Sequence, residues 1–317
     1  MSNIKSASLP EPTGVLYIDK PEGITSHDVV NRIRRLYQTR RVGHTGTLDP
    51  MASGVMVVLV GRAAKAAEFV MAEDKGYFAG LQLGVTTDTG DVTGKILTQA
   101  TGEWHPSFLQ VQEIAQSFLG DIMQTPPMYS ALKIQGQKLV DLARQGIEIE
   151  RQSRPIHVSR LEMQAVEGTD DRYQMTIECS KGTYIRVLCE DIGRALGCGG
   201  TMYSLRRFRS GTVTLEHSIT LEMIENTDAS ERYTYLHPIE ALFCDLPAVT
   251  LSPFFARLAH AGCEIYLKKI GVLYPLGQRI TLADEEGFFA LGEVAEYPDG
   301  AAIRPIRQFR LATSEQR

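Results

Sequence analysis

The run VMVVLV at positions 55–60 limits the fold more than any other stretch of the 317-residue chain. Six apolar residues, four of them valine, are too few for a membrane span and too β-branched for a favoured helix, so they predict a short, buried β-strand. The twelve residues before it, GHTGTLDPMASG (43–54), carry three glycines and a proline. Glycine relaxes the backbone and Pro50 bars Asp49 from helix, so this stretch is a loop running into a rigid strand. Such a mount suits a reactive side chain. From these residues alone, Asp49 is either a nucleophile or an Asp-Pro turn former.

Elements along the chain alternate without a strict βαβ rhythm. GVLYIDK (14–20) is a predicted strand. TSHDVVNRIRRLYQ follows as a helix capped by Thr25 or Ser26, with Val29, Val30, Ile33, Leu36 and Tyr37 on one face. AAKAAEFVM predicts a short helix, KGYFAGLQLGV a strand ending in the polar turn TTDTGDVTG, and PSFLQVQEIAQSFLG a helix closed by Gly120. MQTPPMYSALKIQG fits neither period and predicts an irregular arm, spanning about 124–150 with the helix KLVDLARQG. IHVSRLEMQAV and RYQMTIECS predict strands, and YIRVLCEDIGRALG a helix. The expectation is an α+β domain over residues 1–246, with a mixed, largely antiparallel sheet and packed helices. From about Leu246 a short helix and brief strands split by Gly, Pro and Asp turns predict a second unit, a small β-barrel over 247–317.

The charge is segregated rather than balanced. The net charge of −5 argues weakly against nucleic acid, yet Asn31 to Lys65 holds seven basic residues against one acidic, and LRRFRSG adds Arg206, Arg207 and Arg209. TLEMIENTDASER (220–232) is acidic. The basic segments suggest phosphate contacts, with the acidic surplus on a face turned away from RNA. Five cysteines without a C-x-x-C suggest reduced thiols in a cytoplasm, neither a disulfide framework nor a zinc ribbon. The opening MSNIKSASLPEPTG has no apolar core of a signal peptide, and no run approaches a membrane span.

Standard catalytic signatures are missing: no H-E-x-x-H, no phosphate-binding G-x-x-x-x-G-K-[ST], no dinucleotide fingerprint, no G-x-S-x-G. A reaction without cofactor or metal, built around a carboxylate, is what remains. Such a carboxylate must stay ionised against desolvation, which makes an arginine its expected partner.

VGHTGTLDPMASGVMVVLVGRAAK (42–65) resembles the signature of the TruB family of tRNA pseudouridine synthases. Five further blocks match in order: LYIDKPEGITSHDVV, KGYFAGLQLGVTTDTGDVTG, PPMYSALKIQGQKL, KGTYIRVLCEDIGRALG and LRRFRSG. The C-terminal unit is similar to that family's PUA-type RNA-binding domain. The resemblance implies a stand-alone enzyme, without guide RNA, that isomerises a T-loop uridine of tRNA to pseudouridine at position 55. It further implies that Asp49 is the nucleophile and Arg186 its partner. Tyr77 would stack on the flipped uracil and be a candidate proton acceptor. Tyr184 and Leu205 would line the pocket, His44 would sit against the disrupted loop, and Lys20 would support the site. Val140, where an aromatic residue is usual, is a departure in the arm. A monomer suits an enzyme whose partner is a large RNA. The rival readings are a tRNA-binding or folding-assistant protein without chemistry, a glycosylase that releases uracil, and a guide-dependent relative.

Overall fold

The computed structural model describes residues 11–70, 74–101, 104, 106–134 and 136–310. Most of the signal-peptide reading at residues 1–14, the end of AAKAAEFVM at Met71 and the last seven residues lie outside them.

The predicted strand around VMVVLV spans Ser53–Val60, and all eight of its residues are buried. It runs antiparallel to Gly14–Lys20 and parallel to Gly200–Ser210. Across the large sheet the strand order is Ile219–Thr220, Gly14–Lys20, Ser53–Val60, Gly200–Ser210, Lys75–Leu83, Arg172–Cys179, Arg154–Ala165, Gly120–Gln124. Two pairings on this path are parallel, Ile219–Thr220 with Gly14–Lys20 and Gly200–Ser210 with Ser53–Val60, and the rest are antiparallel. The sheet is therefore mixed and largely antiparallel, as the irregular alternation of elements predicts.

Helix Ser26–Leu36 starts at a capping box in which Thr25 and Asp28 satisfy each other's backbone N–H groups. Val29, Val30 and Ile33 pack on Leu16, Ile18, Met56 and Val58. Elsewhere on the sheet, helices Phe108–Gln116 and Ile185–Ala195 contribute Val111, Ala115, Leu188 and Ile192 to a core shared with Leu81, Leu83 and Met175. Leu59 is wholly buried, and truncating such a residue to alanine costs about 2–5 kcal/mol.

Three predicted elements differ in detail. Residues 63–70 form a 3₁₀ turn, Gly61–Ala66, before one α turn, Ala67–Val70; the buried Ala63 and Ala66 let the tighter winding press against the strands. The strand from Lys75 ends at Leu83, where Gly84 passes under the Trp104 ring, and Val85–Thr87 pairs instead with Ile96–Gln99. Gly120 opens the next strand instead of closing the preceding helix.

Gly54 has no freedom to be anything else. Its φ is +106°, and a Cβ there would lie 2.1 Å from the Arg207 carbonyl oxygen. This close crossing sets the loop of residues 45–52 directly against the strand Gly200–Ser210.

The C-terminal unit is a five-stranded half-barrel with strand order Ala248–Thr250, Arg279–Asp284, Gly287–Tyr297, Gly300–Gln308, Ile265–Tyr266. Helix Pro253–His260 packs on it over Ile280, Leu282, Phe289 and Ile303. Phe243 joins it to the preceding chain by packing against Phe288 and Phe309, with ring centroids 6.0 and 5.9 Å away.

Candidate active site

Residues 45–52 bridge the hairpin between Val42–His44 and Ser53–Val60. Two buried cations, Lys20 and Arg207, hold this loop through its carbonyls. The Lys20 ammonium, with no exposed surface, donates to the carbonyls of Pro21 and Ile24 at 2.8 Å and of Pro50 at 3.4 Å. Arg207 donates to the Val55 carbonyl at 2.7 Å, to Gly46 at 3.2 Å and to Thr47 at 3.3 Å. Ser26 adds a reciprocal pair with the Leu48 backbone, Oγ to O at 2.9 Å and N to Oγ at 2.8 Å. A loop whose carbonyls are so fully occupied holds its side chains in one geometry.

On this mount Asp49 Oδ2 accepts from Arg186 Nε at 3.0 Å. The Arg186 side chain is buried, and the rest of its fork is occupied: one terminal nitrogen donates to the Thr89 carbonyl and the other to that of Tyr129, each at 2.8 Å. Asp91 faces the same Nε at 3.8 Å. Asp91 is itself fixed by Thr89 and Thr93. Asp49 is not buried with its partner: 35 % of its side chain remains exposed. The result is one cation oriented by two carbonyls and two carboxylates, with one carboxylate open to solvent.

Asp49, Tyr77, Tyr184, Arg186 and Leu205 line one cleft of about 330 Å³. Five residues singled out from the sequence therefore meet, although they come from the loop, from strands Lys75–Leu83 and Gly200–Ser210, and from the start of helix Ile185–Ala195. Two do not line it. Lys20 is buried outside it, with its ammonium spent on the carbonyls of Pro21 and Ile24 and on that of Pro50 in the loop. His44 sits on the hairpin beside the cleft, its Nδ1 buried without a partner, and burial and the nearby Arg207 hold its pKa below the usual imidazole value. Burial also pushes the Tyr77 phenol up, and the Arg207 guanidinium, hydrogen-bonded to it, opposes that rise.

Sequence reasoning misses Arg207, Asp91 and Ser130 as site residues. Arg207 is 2 % exposed and joins the loop to Tyr77. Its signal is the alternation of LRRFRS as a strand, which places one arginine inward. Ser130, from the arm, lines the cleft with a buried hydroxyl that has no partner.

Of the arginines of LRRFRSG, only Arg207 is withdrawn from any phosphate, and the other two are already paired within the protein. Arg206 pairs with Asp19 at 2.7 Å, Arg209 pairs with Glu178, and Arg207 is internal. The acidic segment meets the basic helix at one point: helix Leu221–Asn226 lies beside helix Ser26–Leu36, and Arg32 meets Glu225 at 3.4 Å. Arg35 and Arg40 do remain exposed.

The TruB family pseudouridylate synthase N-terminal domain model matches residues 34–185, and the tRNA pseudouridylate synthase B C-terminal domain model matches residues 186–243. The protein named tRNA pseudouridine synthase B from Clostridium acetobutylicum is 48% identical over 89% of this chain and 96% of its own. That of Dechloromonas aromatica is 45% identical over 94% and 96%. This chain belongs to the TruB family. Its fold is shared at lower identity with solved structures of a Cbf5–Nop10–Gar1 complex (TM-score 0.70, 24% identity, 95% of this chain and 86% of that one) and of an H/ACA ribonucleoprotein bound to a substrate RNA containing 2′-deoxyuridine (TM-score 0.68, 24% identity, 95% and 86%). As a TruB pseudouridine synthase the chain is an isomerase. No helix among the described residues is long and apolar enough to cross a membrane.

Proposed function

We propose that this TruB-family enzyme acts on tRNA, converting the T-loop uridine at position 55 to pseudouridine as a stand-alone cytoplasmic monomer, with Asp49 as nucleophile. The observation that carries the reading is the Asp49–Arg186 pair at 3.0 Å, with the carboxylate part-exposed in a cleft walled by Tyr77 and Leu205. Full-length relatives carrying the tRNA pseudouridine synthase B name support tRNA as the substrate.

Isomerisation breaks the bond from C1′ of the ribose to N1 of uracil and forms one from C1′ to C5. The C5 proton leaves, N1 gains one, and nothing else is consumed. A uridine turned out of its loop brings C1′ to Asp49, whose carboxylate attacks as in a retaining glycosidase. Arg186 keeps that carboxylate oriented. Tyr77 stacks on the detached uracil, and Tyr184 and Leu205 confine it while it rotates, excluding the water that would otherwise intercept the sugar. The Tyr77 oxygen is the acceptor for the C5 proton when ionised, and Arg207 beside it favours that phenolate; accepting the proton returns it to the neutral phenol. His44 fills the space the base leaves, Lys20 braces the loop, and the half-barrel from residue 247 onward grips RNA beyond the flipped base.

The test is an unmodified tRNA transcript incubated with wild type or Asp49→Ala, with pseudouridine located by chemical labelling and primer extension. One T-loop stop that vanishes in the variant supports the reading. Tight binding without a stop makes the chain a tRNA-binding protein, and free uracil makes it a glycosylase.

A further inference from the structure

Helix Ile185–Ala195, which carries Arg186, begins without a cap of its own: its N-cap residue, Tyr184, supplies no side-chain hydrogen bond to the first turn. Both backbone groups of Tyr184 are instead taken by one side chain from another element. Gln124 Oε1 accepts from the Tyr184 N–H at 2.8 Å, and Gln124 Nε2 donates to the Tyr184 carbonyl at 3.1 Å. That carbonyl already accepts the first helical bond, from the Leu188 N–H at 3.1 Å. Gln124 is 2 % exposed, so neither half of its amide has water as an alternative partner.

Gln124 is the last residue of the edge strand Gly120–Gln124, immediately before the arm. The arm's neck closes just beyond it, through Thr125 and Ser153 hydroxyls 2.8 Å apart and the Arg151 guanidinium on the Pro126 carbonyl at 3.2 Å. Further out, the Tyr129 carbonyl takes a terminal nitrogen of Arg186 at 2.8 Å. The arm therefore holds the start of this helix at two points, the Tyr184 backbone and the Arg186 fork. Between them lie the pocket residue Tyr184 and the partner of Asp49.

We infer that Gln124 is a positioning residue for catalysis: its amide, paired with both backbone groups of Tyr184, sets the start of the helix so that Arg186 meets Asp49. The inference rests on the proposed function, since it concerns the step in which Asp49 acts. Alanine at 124 leaves the Tyr184 N–H without its partner and lets the first turn shift, which lengthens the Arg186 to Asp49 contact without touching substrate. Glutamate is the sharper probe. Ionised, it still accepts from the Tyr184 N–H but sets a second acceptor against the Tyr184 carbonyl. Protonated, it presents the same donor and acceptor pair as glutamine.

The experiment measures single-turnover pseudouridine formation on an unmodified tRNA transcript with enzyme in excess, together with the tRNA Kd and the Tm. Wild type, Gln124→Ala and Gln124→Glu are compared between pH 6 and pH 8. Expected are a rate about tenfold below wild type in Gln124→Ala with Kd within about twofold, and a Gln124→Glu rate that recovers relative to wild type as pH falls. A Gln124→Ala rate within about twofold of wild type, a loss confined to Kd, or a pH-independent ratio for Gln124→Glu overturns the inference. If Gln124→Ala does not fold, the Gln124→Glu ratio decides alone. Wild type that forms no pseudouridine removes the proposed function and this inference with it, whereas active wild type with equally active variants removes only the inference.

Discussion

Residues 45–52 and residues 125–150 reach the same cleft and are held in opposite ways. The first segment has its carbonyls taken by Lys20 at Pro50 and by Arg207 at Gly46 and Thr47, both cations buried. The second contributes Ser130 and Ala131 to the cleft. It is tied at its neck by Gln124, Thr125 and Arg151, while most of its stretch from Lys133 to Glu150 is exposed apart from Leu139 and Leu142. The proposed nucleophile must be fixed to a fraction of an ångström, whereas a segment proposed to meet a folded RNA gains from fewer constraints. Arg186 stands at the junction, one nitrogen on the loop's Asp49 and another on the arm's Tyr129.

The largest effect is expected at that junction. Arg186→Met leaves the buried Asp91 and the part-exposed Asp49 without the cation between them; loss of one partner of a fully buried pair costs about 3–5 kcal/mol, and solvent at Asp49 lowers its share. If half of that falls on the transition state, the single-turnover rate drops by about tenfold to seventyfold with tRNA affinity little changed. A variant impaired only in affinity would mean that Arg186 serves the arm and not the loop. Next comes Arg207→Met, which strips partners from the carbonyls of Gly46, Thr47 and Val55. A loss of about 3 kcal/mol, seen as a Tm lower by roughly 6–12 °C, is expected; an unchanged Tm would break the picture of a clamped loop.

Much of this site is legible in the sequence because its chemistry sits in contiguous words. HTGTLDP, KGYF and TYIRV each display their candidate residue, and the cleft joins Asp49, Tyr77 and Arg186. Helix Ser26–Leu36 is equally plain, since Thr25 and Asp28 write a capping box and the apolar spacing writes a face. Arg207 of LRRFRSG is not legible as internal because an arginine contributes the same composition whether it faces phosphate or is turned inward. Only the register of Gly200–Ser210 against Ser53–Val60 and Lys75–Leu83 turns Arg207 inward. The role of Gln124 is illegible for a related reason: its partner is a backbone 60 residues away, and backbone groups leave no mark on composition.

A smaller effect tests the other clamp. Burial lowers the Lys20 ammonium to about 8 from its ordinary 10.5, against the opposing pull of Glu22 and Asp49. The folded protein thus releases this proton before the unfolded chain does. The Lys20 contribution to stability is smallest below about pH 8 and grows as pH rises from about 8 towards 10.5. The Tm difference between wild type and Lys20→Met should shift in favour of wild type between pH 7.5 and pH 10, by an amount worth about 1–3 kcal/mol. A constant difference would show that Lys20 is not held dry against the loop.

The smallest effect concerns the basic residues that stay exposed. Replacing Arg35 and Arg40 by alanine should weaken tRNA binding a few-fold at low salt and flatten the slope of log affinity against log salt by about one for each phosphate no longer neutralised. The corresponding Arg206→Ala and Arg209→Ala variants should leave that slope unchanged, since those side chains already answer Asp19 and Glu178.

The Arg207 clamp also dictates when in the life of the chain this site can exist. Its hydrogen bonds span 152 to 161 residues of sequence, from the carbonyls of Gly46, Thr47 and Val55 to a strand that also completes the pairing of Lys75–Leu83. During synthesis from the N-terminus, HTGTLDP leaves the ribosome early and then waits, its carbonyls answered only by water, until about half of the polypeptide has followed. The proposed nucleophile is made early and its mount is completed late, so a nascent chain arrested before Gly200 carries the family signature without the Arg207 clamp.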